Sequence, residues 1–218
     1  MAEALHNQKS FKVFNYNKLM LNEFFDLSSG INLVYGEGAS GKTTLALMLT
    51  RDYSKFSKVI FIDTENGFSF ERFKQVSQDY YEKCLKNVLL FKVKDFDELN
   101  KIVNDINNIN NIKLIVIDSI GSYYRLELKK DVKATNDKLI EIFKNLRLLN
   151  KKGINVFITN QVYRNFENNK LESVGGKTTK NFSKVMVKLE KNPRRIIREK
   201  PNNFEYLFEI KDEGIILK

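Results

Sequence analysis

One eight-residue stretch constrains this chain more than any other. Gly36-Glu37-Gly38-Ala39-Ser40-Gly41-Lys42-Thr43 matches G-x-x-x-x-G-K-[ST]. It lies between Ile31-Asn32-Leu33-Val34-Tyr35, short, apolar and β-rich, and Lys42 to Tyr53, a helical segment with Leu45, Met48 and Leu49 on one face. In that setting the glycines let backbone N–H groups curl around phosphate oxygens, and the helix presents its positive dipole end. Gly36, Glu37, Gly38, Ala39, Ser40 and Gly41 supply the cradle. Lys42 is placed to reach β- and γ-phosphates, the Thr43 hydroxyl to ligate Mg²⁺, and Thr44 to contact an α-phosphate.

Strand and helix patterns then alternate to about Asn160. Lys58 to Ile62 reads as a buried strand and Phe70 to Cys84 as a helix. Val88 to Phe91 is a short strand, and Asp95 to Ile109 a helix with Phe96, Leu99, Val103 and Ile106 at helical spacing and Asp95 as N-cap. Leu114 to Ile117 is a third strong apolar run. Asp137 to Asn150 is helical, closed by Lys151-Lys152-Gly153, and Ile154 to Ile158 is another strand. Wholly apolar strands separated by helices imply an α/β fold with a mostly parallel sheet covered on both faces.

Past Gln161 the pattern changes. Tyr163 to Lys180 has few apolar residues and includes Gly175-Gly176, so a long mobile loop is expected. Lys184 to Glu190 alternates, Asn192-Pro193 turns, and Arg194 to Arg198 runs back. Phe204 to Ile210 and Ile215 to Leu217 form a closing hairpin, giving an antiparallel C-terminal extension. No repeat or linker divides the chain, which reads as one domain.

Composition excludes several classes. With 218 residues, two prolines and ten glycines, the chain is neither collagenous nor Pro/Gly-rich and disordered. One cysteine, Cys84, rules out an internal disulfide framework, and one histidine, His6, rules out a His/Cys zinc site. No apolar run is long enough to span a membrane, and Met1 to Ser10 lacks a signal-peptide layout, so a cytoplasmic protein is expected. The net charge is +10, and +7 of it falls within residues 163–200. A basic cluster of this kind marks a polyanion binder or a solvated surface, and charge alone does not separate them.

Three further polar groups follow apolar strands. Asp118 ends Leu114-Ile115-Val116-Ile117, which puts a carboxylate at the carboxyl edge of a central strand, where it can hold Mg²⁺. Glu65, in Asp63-Thr64-Glu65, is the candidate base for activating water; spacing alone allows these carboxylates to be merely solvent-facing. Gln161, in Thr159-Asn160-Gln161, offers an amide to sense a γ-phosphate.

Taken together these segments resemble the RecA/RadA recombinase family, in particular its short archaeal paralogues. The resemblance runs from about Leu27 to Leu217. Its specific stations are Phe61 to Phe68 with Glu71-Arg72-Phe73, Ile117 to Ile120 with Tyr124-Arg125, Ile158 to Val162, and Gly175-Gly176. It implies a RecA-like P-loop ATPase core at residues 27–218, after a partly flexible segment at 1–26, with ATP and Mg²⁺ as cofactors. It casts Lys42, Glu65 and Gln161 as catalytic, with Glu65 activating water and Gln161 linking the γ-phosphate to DNA. Arg72 would pack against adenine. Two loops, about Tyr124 to Thr135 and Val162 to Thr178, would line a DNA path with Arg125, Lys129, Lys130, Lys133, Arg164, Lys170 and Lys177. Tyr123, Tyr124, Tyr163 and Phe166 stand near them as candidates for base stacking or for plain packing.

The implied role is recombination and repair on single-stranded DNA, with double-stranded DNA a further candidate, alongside a main recombinase or other repair proteins and with homo-oligomers conceivable. Departures favour an accessory or mediator role. The residues before Gly36 are too few for the helix-hairpin-helix domain and linker of full recombinases, and Lys177 follows Gly175-Gly176 where strand-exchange members carry histidine. Two other readings stay open: a RecA-core ATPase that governs protein assembly without DNA, like the circadian-clock relatives, and a small-molecule P-loop kinase.

Overall fold

Apolar side chains that alternate between two faces, both of them covered, determine how this chain folds. The structure, a computed structural model, describes residues 23–106, 109–164 and 171–218. Its first half runs β1 (Ile31–Gly36), α1 (Lys42–Ser54), β2 (Lys58–Asp63), α2 (Phe70–Ser77), a 3₁₀ turn, α3 (Tyr81–Leu85), β3 (Val88–Lys92) and α4 (Phe96–Asp105). It continues with β4 (Ile112–Asp118), α5 (Gly121–Glu127), α6 (Val132–Lys151), β5 (Asn155–Asn160), β6 (Val162–Arg164), β7 (Leu171–Ser173) and α7 (Gly176–Phe182). Four strands close it: β8 (Ser183–Lys191), β9 (Arg194–Lys200), β10 (Phe204–Lys211) and β11 (Gly214–Leu217).

Among the described residues one sheet has the order β11-β10-β9-β8-β1-β5-β4-β2-β3. From β8 to β3 all neighbours are parallel, and β9, β10 and β11 continue antiparallel. Val34, Val59, Phe61, Leu114, Val116 and Phe157 face α1 and α2. Leu33, Ile60, Ile62, Ile115, Ile117 and Ile158 face α4 and α6, which bury Phe96, Leu99, Val103, Leu139, Ile142, Phe143 and Leu146. Each strand therefore reads as an unbroken apolar run, as parallel strands buried on both faces do. The polar exception inside β1, Asn32, is satisfied by Asp26: its Nδ2 donates to the Asp26 carbonyl at 2.8 Å and its Oδ1 accepts from the Asp26 N–H at 3.0 Å.

The expected α/β sheet and C-terminal hairpins are present, with local differences. The segment 70–84 is broken, because Gln78 takes a positive φ of 50° and α2 ends at Ser77. The helix expected from Asp137 begins at Val132, capped by the Asp131 side chain, which accepts from the Ala134 N–H at 2.9 Å. Its first turns carry no apolar stripe, so periodicity does not reveal them. The loop expected over Tyr124 to Thr135 is instead the end of α5, a tight turn and the start of α6. The long loop expected over Tyr163 to Lys180 contains the antiparallel pair β6–β7 and helix α7. Among the described residues no helix is long and apolar enough to cross a membrane.

The packing predicts a stability ranking measurable by urea denaturation. Phe157 is fully buried, with its ring 5.5 Å from that of Phe25. Phe157→Ala should cost about 3–5 kcal/mol, whereas Asp131→Ala, which removes only a cap, should cost about 1 kcal/mol.

Candidate functional site

The parallel register brings the carboxyl ends of β1, β2, β4 and β5 to one edge, where Asp63 lies beside Asp118 and Tyr35 beside Asn160. Ligands of open α/β sheets bind at this edge. The loop after β1 enters α1 through Gly41, whose φ of 111° is unfavourable for residues with a Cβ. A Cβ there would also lie 3.2 Å from Ile210 and 3.3 Å from Ile215, so the β10–β11 hairpin closes directly on the loop. The Lys42 ammonium is buried and donates to the Gly36 carbonyl at 2.9 Å and the Glu37 carbonyl at 2.8 Å. Burial pushes its pKa below the usual lysine value, while the Asp118 and Glu65 charges oppose that push. A cavity of about 280 Å³ opens here, lined by Ala39, Gly41, Lys42, Thr43, Thr44 and Ile210. A larger one, about 670 Å³, lies at the opposite edge among Phe25, Leu27, Tyr53, Phe56 and Arg198. The smaller cavity carries the anion-binding features, an α-helix N-terminus and a buried ammonium.

Asp118 joins three elements. The Thr43 hydroxyl donates to its Oδ2 at 2.7 Å and the Thr159 hydroxyl to its Oδ1. Burial raises the Asp118 pKa, and the charges of Glu65 and Asp63 add to that, while the two hydroxyl donors counter it. Asp63 organises the loop beyond β2, accepting from the backbone N–H groups of Glu65 at 3.2 Å, Gly67 at 3.0 Å and Phe68 at 3.0 Å. Thr64 and Ser119 lock the loops after β2 and β4 together. The Thr64 hydroxyl donates to the Ser119 carbonyl at 2.7 Å and accepts from the Ser119 N–H at 2.9 Å.

Glu65 lies on this framework, exposed at the edge. Its Oε1 accepts from the Ser119 hydroxyl and, at 2.7 Å, from the Gln161 amide. The Gln161 carbonyl oxygen accepts in turn from the Arg125 guanidinium. Arg72 projects from α2 to the β10–β11 turn, donating to the carbonyls of Lys211 at 2.6 Å and Asp212 at 3.1 Å.

The basic residues divide. Lys129, Lys133 and Lys177 are exposed, and Lys130 pairs with Glu127 at 2.8 Å. Arg164 ends β6, whereas Lys170 and Phe166 lie outside the described residues. Tyr123 and Tyr124 are packing residues: Tyr124 is buried and donates to Asn136 at 2.7 Å, and Tyr123 donates to the Val93 carbonyl at 2.7 Å. Tyr163 is exposed, with its hydroxyl 3.2 Å from Glu172. Much of the charge between 183 and 200 is engaged structurally. Glu190 accepts from Lys188 at 2.8 Å and Arg195 at 2.6 Å, Arg194 donates to the Ala39 carbonyl at 3.3 Å, and Arg198 donates to the Glu23 carbonyl at 2.6 Å.

A family model described as Rad51 matches residues 18–217. The chain belongs to the Rad51 family. It is similar to the DNA repair and recombination protein RadB of Methanosphaera stadtmanae, 34% identical over 85% of this chain and 87% of that one. RadB of Methanocaldococcus jannaschii is 36% identical over 74% of this chain and 78% of its own length. A crystal structure of the RadB recombinase superposes with a TM-score of 0.71 at 30% identity, covering 85% of this chain and 89% of the other.

RecA-like proteins such as the Rad51 family bind ATP with Mg²⁺, and this donor set suits that cation. Thr43 and Asp118 offer hard oxygen atoms, and a Cβ on Gly67 would lie 3.7 Å from Asp118 Oδ2 and 3.8 Å from Thr43 Oγ1, so glycine keeps that approach open. Among the described residues no group of three or more His, Cys, Asp or Glu is placed to hold a metal ion. Sequence reasoning gave no role to Thr64, Ser119 or Thr159, and did not foresee the contact between Arg125 and Gln161. The first three adjoin Asp63, Asp118 and Asn160 at strand ends, and that adjacency was the available signal.

Thr43→Val keeps the shape and deletes a donor to a buried carboxylate. With chelator present and no nucleotide, it should destabilise the protein by about 1–3 kcal/mol in chemical denaturation. An unchanged midpoint would show that the hydroxyl leaves Asp118 indifferent.

Proposed function

We propose that this protein is an ATP-binding, weakly hydrolysing DNA-associated ATPase of homologous recombination and repair, acting as an accessory or mediator to a main recombinase. The observation that carries this reading is the convergence at one sheet edge of a buried Lys42, the Thr43–Asp118 pair and the Glu65–Gln161 pair. The names of the RadB relatives support the recombination setting.

In this reading the loop N–H groups and the N-terminus of α1 bind the phosphates, and Lys42 exchanges two neutral carbonyl partners for charged phosphate oxygens. Mg²⁺, when bound beside Thr43 and Asp118, supplies charge neutralisation for the β- and γ-phosphates. Glu65 accepts a proton from the attacking water and Gln161 orients the Glu65 carboxylate. Arg72, held by its bonds to the β10–β11 turn, packs against the adenine, while Ile210 of β10 lines the cavity itself. Glu65 is exposed to solvent, where its charge is screened, and this exposure supports the reading of weak hydrolysis by the isolated chain. Arg125, Lys129, Lys130, Lys133 and Lys177, with Arg164 and Lys170, serve the phosphate backbone of single-stranded DNA.

Lys42→Ala should weaken ATP binding about 10- to 100-fold, the value of a hydrogen bond to a charged group, in calorimetric titration. Glu65→Gln should keep ATP affinity and lower kcat by about a hundredfold or more. Binding to a single-stranded oligonucleotide should fall steeply as salt rises. ATP-dependent assembly with no oligonucleotide binding at low salt would favour the protein-assembly reading instead.

A further inference from the structure

We infer that the turn between β8 and β9 belongs to the phosphate site: Arg194 and Lys191 are positioning residues that shape the phosphate loop and offset the Glu37 charge, and so set affinity for a nucleoside triphosphate. This inference rests on the ATP-binding reading above and adds to that site two residues from outside its motif.

Strand β8 reaches the loop because it outruns the strand beside it. The pairing of β1 with β8 ends at Gly36 and Leu189, and β8 continues to Lys191. Two further residues carry the chain about 6–7 Å past that last pair, out over the loop that follows Gly36. A Cβ on Gly36 would lie 2.4 Å from the Leu189 carbonyl oxygen, so the backbone of β8 presses directly on the start of the loop. Arg194 opens β9 and donates to the Ala39 carbonyl at 3.3 Å. Ala39 has a φ of 59°, which residues with a Cβ seldom adopt, and the next N–H, that of Ser40, donates to the Glu37 carbonyl at 3.3 Å. Arg194 thus holds the carbonyl side of the peptide whose N–H side folds the loop back on itself. Its guanidinium carbon is 6.0 Å from the centre of the Phe208 ring, and a Cβ on Gly41 would lie 3.7 Å from that ring. One side chain therefore braces both the middle of the loop and its exit into α1.

Lys191 acts through charge. Its ammonium lies 3.7 Å from the Glu37 carboxylate, and both side chains are partly exposed. As a surface ion pair this adds little to stability. Its consequence falls on the ligand. Lys42 donates to the Glu37 carbonyl at 2.8 Å, so the Glu37 side chain leaves the backbone beside the ammonium that meets phosphate. The charges of Glu37 and Lys191 are both felt at Lys42, with opposite signs. An unpaired Glu37 carboxylate repels an arriving triphosphate, and Lys191 cancels that repulsion. The cavity itself is lined by Ala39, Gly41, Lys42, Thr43, Thr44 and Ile210, so Lys191 and Arg194 work through the loop. Part of the basic segment between 163 and 200 thereby serves the nucleotide.

The test is calorimetric titration of the full chain with ATP and with ADP, each with Mg²⁺. The proteins are wild type, Lys191→Ala, Glu37→Gln, the double variant of these two, Arg194→Ala and Arg194→Lys, all checked for folding by thermal melt. Lys191→Ala should weaken ATP binding about 3- to 10-fold and ADP binding less, because ADP carries less charge. Raised salt should shrink that loss. In the Glu37→Gln background the same substitution should cost less than about twofold. Arg194→Ala should weaken ATP and ADP alike, about 3- to 10-fold, and speed amide hydrogen exchange in the phosphate loop without nucleotide; Arg194→Lys, which keeps one donor, should recover part of both. In steady-state hydrolysis Lys191→Ala and Arg194→Ala should raise KM and leave kcat within about twofold. An unchanged ATP affinity in Lys191→Ala, or a loss undiminished by Glu37→Gln, overturns the charge offset. Unchanged affinity or unchanged exchange in Arg194→Ala overturns its shaping of the loop. A fall in kcat at unchanged affinity overturns the positioning role of whichever residue shows it. If wild-type protein binds neither nucleotide, the ATP-binding reading fails and the charge offset with it, and the exchange rates still decide whether Arg194 shapes the loop.

Discussion

The site depends on a buried carboxylate held by hydroxyls from two other elements. Asp118 ends β4, Thr43 opens α1 and Thr159 lies near the end of β5, so its two oxygens tie the phosphate loop to the middle of the sheet. A carboxylate this deep is costly without donors. The same burial that raises its pKa makes the two hydroxyls necessary, and they fix where α1 begins relative to β4. Asp63, one strand away, does the equivalent work by collecting three backbone N–H groups, which shapes the loop that carries Glu65. Loop conformation at this edge is thus set by two carboxylates, Asp63, which has no part in the proposed chemistry, and Asp118, which the proposal also assigns to Mg²⁺.

The antiparallel extension has a second purpose beyond lengthening the sheet. Strands β10 and β11 bring Ile210 and Ile215 against Gly41, and their turn receives Arg72 from α2. The last part of the chain therefore closes the cavity that its first strand opens. Arg194, at the start of β9, adds a bond to the Ala39 carbonyl on the outer side of the loop. Coupling between sequence-distant segments of this kind means that a lesion in the C-terminal hairpin disturbs the loop between β1 and α1.

The fold was legible in the sequence wherever apolar periodicity was strong. The strands at 31–36, 58–63, 112–118 and 155–160 are runs that only a sheet covered on both faces explains, and Asp95 caps α4 as expected, accepting from the Glu98 N–H at 2.7 Å. Short or polar elements were not legible. Helix α5 has seven residues, too few to show a period, and the first turns of α6 expose Val132 and Lys133. Of the candidate site, the phosphate loop and Asp118 could be read from spacing, because a motif fixes local backbone geometry. The Arg125–Gln161–Glu65 relay could not be read, because it joins three loops or helices separated by 36 and 96 residues in sequence.

The basic segment shows why charge counted along a sequence overstates a binding surface. Lys188 and Arg195 share Glu190, Arg195 also meets Glu205 at 3.3 Å, and Lys191 faces Glu37 at 3.7 Å. Lys200 donates to the carbonyls of Lys180 at 3.2 Å and Ser183 at 2.7 Å. These side chains knit β8 and β9 to their neighbours and to the phosphate loop. Pairing with Glu190, Glu205 and Glu37 screens their field locally, although the excess positive charge of the chain persists at longer range. Long-range charge speeds the approach of a polyanion, whereas exposed donors hold it once it arrives. Lys129, Lys133, Lys177 and Arg125 are exposed, and the Arg125 guanidinium donates to Gln161, whose amide donates in turn to Glu65.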